Sequence, residues 1–222
     1  MLTHLQIPES LQRNTPAVRE AGYENTGLAL INLATRKMGF DSLAGLSILD
    51  VGCGVRFTQT LINQKVDFGS YTGIEIEKSI VDFLNREVAA NDDRFVFAHL
   101  EAANVKYAGK GKPMASFERL PIDSRHDIIW LFSVFTHLDP QDSAAMLKFL
   151  RRHIKPGGKL FFSAFIDEKL EGFDDRVKDK PLLKAYYGPA LVRSMIGEAG
   201  WRVESFYEPE KFIQHHFVCS PV

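Results

Sequence analysis

The sequence predicts an α/β chain folded as a doubly wound, mostly parallel sheet. Short apolar runs rich in β-branched and aromatic residues alternate with amphipathic helical stretches. The run Ser47–Val51 breaks into a Gly-Cys-Gly turn that leads into a helix. With 222 residues, the chain is long enough to bury one complete core of this kind.

Composition narrows the class of partner. Hydrophobic residues at 45% and charged residues at 25% are those of an ordinary globular protein. Lysine and arginine (27) nearly cancel aspartate and glutamate (28), and no basic stripe stands out. A nucleic-acid partner is therefore not expected, and a small-molecule substrate is. Seventeen phenylalanines point to an aromatic-rich core. Cys53 and Cys219 are too few for a disulfide framework, or for a zinc site by themselves. No apolar run approaches the ~20 residues that span a bilayer, and the N-terminus lacks a basic region followed by an apolar block. The expectation is a cytoplasmic protein with no membrane association.

Along the chain, residues 1–45 carry helical periodicity in Leu28, Ile31, Leu33 and Met38, and read as an N-terminal helical segment packed on the sheet edge. Strands are expected at 47–51, 70–76, 94–98, 127–132, 159–165, 202–207 and 212–219. Helices are expected at 58–64, 78–91, 140–153 and 188–199. Pro140 suits a first helical turn, and Pro156-Gly157-Gly158 reads as a sharp stop before the fifth strand. Residues 104–124 read as a long loop. Residues 166–188 read as a charged insertion over the active site, since they follow the fifth strand and emerge at the carboxyl edge of the sheet. With no internal repeat, the whole chain, 1–222, is expected to form one domain.

The chemistry concentrates at Ile48-Leu49-Asp50-Val51-Gly52-Cys53-Gly54. Its glycines let the backbone approach a ligand closely, and the helix that follows presents free N–H groups. A lone Gly-x-Gly is weak evidence; two acids sharpen it. Asp50 directly precedes the turn, and Glu75 ends the next strand, placed to accept both hydroxyls of a ribose. A dinucleotide would call for a third glycine, but Phe57 stands there and would crowd a pyrophosphate. A ribose-bearing cofactor without phosphates fits better.

These residues resemble the first two motifs of class I S-adenosylmethionine-dependent methyltransferases. Residues 95–101, ending in Glu101, resemble the third strand and its acid near the adenine; residues 127–138 resemble the fourth motif of one bacterial subgroup; Lys155-Pro-Gly-Gly-Lys-Leu160 resembles the turn before the fifth strand. The resemblance covers roughly 47–165. It implies a Rossmann-like, seven-stranded, mostly parallel sheet with helices on both faces and an antiparallel last strand. It further implies a methyl transfer from S-adenosyl-L-methionine to a small molecule, with Asp50, Gly52, Cys53, Gly54, Arg56, Glu75, Ile76, Glu101, Ala102 and Ser133 around the cofactor. Arg56 stands where glycine is frequent and is a candidate for the cofactor carboxylate. Glu101 replaces the usual aspartate, and the Ala102 N–H can share its adenine contact. Ser133 is placed at the sulfonium end.

Methyl transfer needs the nucleophile held in line and water excluded; a base is needed only if the acceptor must lose a proton. His137, just after the fourth strand, is the candidate base, the alternative being a histidine that fixes its own turn. Tyr186 and Tyr187 are candidates for stacking on an aromatic acceptor, or for packing. His99, His126, His153 and the pair His215-His216 scatter over different elements, and neighbours on a strand face opposite ways, so no metal site is expected. A non-catalytic S-adenosylmethionine-binding module, or another enzyme using that cofactor, is the alternative function.

Overall fold

The computed structural model describes residues 2–13, 16–104, 111–209 and 213–222. They fall into two compact units, Met1–His99 and Leu100–Val222.

The first unit runs α1 (Pro16–Ala21), α2 (Tyr23–Lys37), β1 (Ser47–Val51), α3 (Arg56–Asn63), β2 (Ser70–Glu75), α4 (Lys78–Leu84) and β3 (Phe95–His99). β2 lies between β1 and β3, parallel to both, with Asp50 opposite Gly73 and Glu75 opposite His99. All five residues of β1 except Ser47 are buried, which explains its continuous apolar run. The helix expected over 78–91 is α4 followed by a π turn at Asn85–Ala89. There the Asn85 amide donates to the carbonyl of Phe97 (3.3 Å), tying the widened turn to β3. α3 begins at Arg56, two residues earlier than expected.

The second unit runs β4 (His126–Leu131), α5 (Pro140–Leu150), β5 (Ile154–Ile166), β6 (Phe173–Asp175), β7 (Ala185–Tyr187), α6 (Pro189–Glu198), β8 (Trp201–Tyr207) and β9 (His215–Pro221). β4 and β5 are parallel, while β9 inserts antiparallel between β5 and β8. Phe162 stacks on Phe217 across that antiparallel pair (4.8 Å between centroids) and on Phe135 (4.5 Å), so the phenylalanines do fill a core. Pro140 opens α5, and the Asp139 carboxylate caps it by accepting the Asp142 N–H at 2.8 Å.

Three expectations change here. Pro156-Gly157-Gly158 does not stop the chain ahead of the fifth strand. The pairing steps from His126 opposite Ile154 to Ile128 opposite Lys159, so β5 advances five residues while β4 advances two, and the surplus bulges out within the strand, with Gly157 at φ 77°. α5 ends at Leu150, and the His153 N–H turns back to the Leu150 carbonyl (2.9 Å). The expected insertion at 167–187 has strands of its own: the seven expected strands are present as β1–β5, β8 and β9, and this segment adds β6 and β7, antiparallel to each other, with β7 parallel to the end of β5. The last strand begins at His215; residues 210–212, part of its expected start and lead-in, lie outside the described residues, as do 105–110 of the expected long loop. These sheets and helices are a mixed, mostly parallel α/β fold.

Candidate functional site

In the first unit the chain leaves β1 through Gly52 (φ 73°) and Gly54 (φ 50°), left-handed angles that a side chain adopts at a cost. The turn is stitched to β2, since the N–H groups of Gly52 and Cys53 both donate to the Ile74 carbonyl, at 2.8 and 3.1 Å. Gly52 remains exposed while Cys53 points inward, 5% exposed. Burial, with Asp50 and Glu75 nearby, pushes its thiol well above the ordinary range, which disfavours the thiolate.

The two acids differ in what they hold. Asp50 is 1% exposed and accepts the Tyr71 hydroxyl at 2.5 Å, so this carboxylate is engaged beneath the turn. Glu75 is equally buried but collects backbone donors from the turn and from its own strand end: Gly54 N–H on Oε2 (3.0 Å), and Ile76 N–H (2.8 Å) and Glu77 N–H (3.1 Å) on Oε1. The Ile76 carbonyl in turn accepts His99 Nε2–H at 3.1 Å. Arg13, which no sequence signal marked, also reaches Glu75 and makes a charge-assisted fork on it. Arg56 is half-buried, its guanidinium over the Tyr23 and Phe57 rings (5.8 and 5.7 Å); burial lowers its pKa, opposed by the charges of Tyr23 and Asp50.

In the second unit, Glu101 is exposed and Ala102 buried. The Ala102 N–H, expected at the adenine, donates to the Leu100 carbonyl (2.7 Å). Ser133 stands at φ 58°, a strained angle for serine. Its N–H donates to Ser163 Oγ (2.8 Å), and both hydroxyls meet the Gln214 amide.

His137 closes a short 3-10 turn, Phe135–His137. Its Nδ1–H donates to the Leu182 carbonyl (2.9 Å), and its own carbonyl accepts the Asn104 amide (3.0 Å). The Tyr187 hydroxyl fastens the same turn, donating to the carbonyl of Leu138 at 2.6 Å with that of Phe135 at 3.2 Å, and it pairs with Ser143 Oγ at 2.8 Å. Residues 166–188 thus wrap the histidine turn. Tyr187 is fully buried and Tyr186 is sandwiched between the Phe165 ring (4.8 Å) and the Arg176 guanidinium (3.6 Å), so both tyrosines pack within the protein. The His215 ring stacks on Phe206 and the His216 ring lies on Phe161. Among the described residues no group of His, Cys, Asp and Glu is placed to hold a metal ion, and no helix is long and apolar enough to cross a membrane.

A mixed α/β sheet with a glycine turn after its first strand and an acid ending its second defines a nucleoside-binding fold. Comparison with known proteins makes the class specific. The family described as "Methyltransferase domain" matches residues 49–160, just over half of the chain, and the chain belongs to that family. It is similar in structure to the glycopeptide N-methyltransferase MtfA complexed with S-adenosyl-L-homocysteine (TM-score 0.63, 14% identity, 88% of this chain and 90% of that one covered). It is also similar to magnesium protoporphyrin IX methyltransferase ChlM from Synechocystis with bound S-adenosylmethionine (TM-score 0.56, 15% identity, 94% and 85% covered), and to Streptomyces venezuelae DesVI (TM-score 0.58, 15% identity, 93% and 94% covered). At these identities the likeness is one of fold, and that fold is the class I methyltransferase fold.

Proposed function

We propose that this methyltransferase moves the methyl group of S-adenosyl-L-methionine to a small-molecule acceptor in the cytoplasm, working as one catalytic domain over residues 1–222. The observation that carries the reading is Glu75: a buried carboxylate, oriented by three backbone N–H groups of the turn and the strand end, in the chemistry that accepts two ribose hydroxyls. Exposed Gly52 leaves the backbone open to a ligand. Arg56, packed on two rings, is the cation for the cofactor carboxylate, and Glu101 and the main chain of Ala102 serve the adenine. Asp50 acts through Tyr71, holding the turn from beneath. MtfA and ChlM, structural neighbours complexed with S-adenosyl-L-homocysteine and S-adenosylmethionine, support this cofactor. The cofactor supplies a methyl carbon made electrophilic by positive sulfur.

His137 is the acceptor's base in this reading. Donation from Nδ1–H to the Leu182 carbonyl fixes the tautomer, which places the ring's lone pair on Nε2, the form that takes a proton. Residues 166–188 then form a wall of the acceptor pocket around the His137 turn. The net charge of −1 and the absence of a basic stripe favour a small acceptor over nucleic acid.

Two measurements test the proposal. Calorimetry with S-adenosyl-L-homocysteine should show Glu75→Ala weakened by ~2–3 kcal/mol, the scale of charge-assisted hydrogen bonds; an unchanged affinity with the fold intact would make Glu75 a structural cap. A metabolite screen that follows S-adenosyl-L-homocysteine production should yield an acceptor. Tight cofactor binding with no turnover on any acceptor would instead identify a binding module.

A further inference from the structure

The N-terminal lead-in is sewn to α3 before it reaches β2. The Leu5 N–H donates to Asn63 Oδ1 (2.7 Å), and its carbonyl accepts from Asn63 Nδ2 (3.0 Å) and Gln59 Nε2 (3.2 Å). From this anchor the chain delivers Arg13 to the end of β2. There Nη1 donates to Glu75 Oε2 and Nη2 to Glu75 Oε1, both at 3.2 Å, and Nη2 also reaches Glu77 Oε2 at 2.7 Å.

A carboxylate offers about four lone-pair positions. The N–H groups of Gly54, Ile76 and Glu77 make three donor contacts on Glu75 and the Arg13 fork adds one on each oxygen, so five donors already crowd the carboxylate and no position is left for a further pair. A ribose diol makes the same demand, one hydroxyl on each oxygen. The three amides belong to the turn and the strand end and cannot leave without unmaking them, so the diol and the guanidinium exclude one another. Glu75 is 1% exposed, which removes any second, solvent-facing side on which both could be served.

We propose that Arg13 is a residue of the cofactor site that competes with the ribose for Glu75, so that binding an adenosyl ligand releases the guanidinium from this carboxylate. The inference rests on the reading of Glu75 as the ribose acceptor. Glu77 makes the exchange feasible. About a third exposed, it takes the shortest of the Arg13 contacts and keeps a partner for the guanidinium once Glu75 is given up. Meanwhile Arg13 balances the charge of a buried acid. The consequence is reciprocal: whatever draws Arg13 away raises cofactor affinity, and cofactor weakens the Arg13–Glu75 contact by the same factor.

The test is calorimetry of the full chain with S-adenosyl-L-homocysteine, on wild type, R13A, E75A and the double variant, with folding checked by circular dichroism. R13A should bind about 5-fold tighter, the scale of losing one competing, partly exposed ion pair. E75A should bind at least ~30-fold weaker. Adding R13A to E75A should change nothing further, because the competition needs the carboxylate. R13K, which keeps the charge without the fork, should fall between wild type and R13A. R13A binding like wild type, or more weakly, while E75A loses affinity would overturn the competition and leave the ribose reading standing. E75A binding like wild type would remove the ribose reading itself, and the competition with it.

Discussion

The turn after β1 and the turn after β4 are built by opposite means. The first is shaped by backbone. Gly54 reaches Glu75 across 21 residues of chain, and every other amide on that carboxylate comes from the next two residues. The second is shaped by contacts from far along the sequence: Asn104 lies 33 residues from His137, Leu182 lies 45, and the Tyr187 hydroxyl reaches Leu138 across 49. A site made by one strand–turn–helix and the next strand end has a frame specified locally, by glycines and one acid, to which Arg13 adds a distant contact. A site made by a segment returning from 50 residues away depends on how that segment packs.

That contrast can be broken most forcefully at Gly188. A Cβ there would lie 2.0 Å from the Leu170 carbonyl oxygen, and the Gly188 N–H also donates to the Gly172 carbonyl (2.7 Å). Backbone cannot give way as a side chain can, so Gly188→Ala should cost about 3 kcal/mol or more and expose residues 166–188 to limited proteolysis, with S-adenosyl-L-homocysteine affinity nearly intact. Wild-type melting and protease resistance would show that the segment is not held there.

A smaller, pH-dependent effect belongs to the second unit. His126, 2% exposed at the start of β4, is lowered by burial from 6.5 to about 4. Because its folded pKa lies below its unfolded value, the unfolded chain binds the extra proton between the two. The associated stability is full above pH 6.5 and is lost as the pH falls towards 4, by about 3 kcal/mol. Denaturant titrations of wild type across that window should show the slope, and His126→Gln should flatten it; an unchanged slope would assign the dependence elsewhere.

The mildest case is Tyr187→Phe. It deletes a buried hydroxyl shared by Leu138, Phe135 and Ser143. The expected cost is about 1–2 kcal/mol, with turnover reduced through a displaced His137 and cofactor binding unchanged. Equal losses in turnover and cofactor affinity would mean that the two turns are not independent.

The same contrast explains what could be read from the sequence. The strand Ser47–Val51, the glycine turn and Glu75 were legible because periodicity and turn chemistry are local signals. β6 and β7 were not, since three-residue strands carry too little pattern and exist only because β7 finds the end of β5. The bulge at Pro156-Gly157-Gly158 looks like a chain break in sequence, and only pairing with β4 shows that the strand resumes on the same partner. The engagement of Asp50 by Tyr71 depends on a side chain from the neighbouring strand, which no local pattern marks. Arg13 sits in a polar stretch with no period, and its partner lies 62 residues away, so nothing near it marks its role.

The most direct test is the structure of the complex with S-adenosyl-L-homocysteine. Both ribose hydroxyls should lie within hydrogen-bonding distance of Glu75, one on each oxygen, with the three backbone donors still in place and Arg13 displaced towards Glu77. A ribose bound away from Glu75, with the Arg13 fork still closed on that carboxylate, would contradict this.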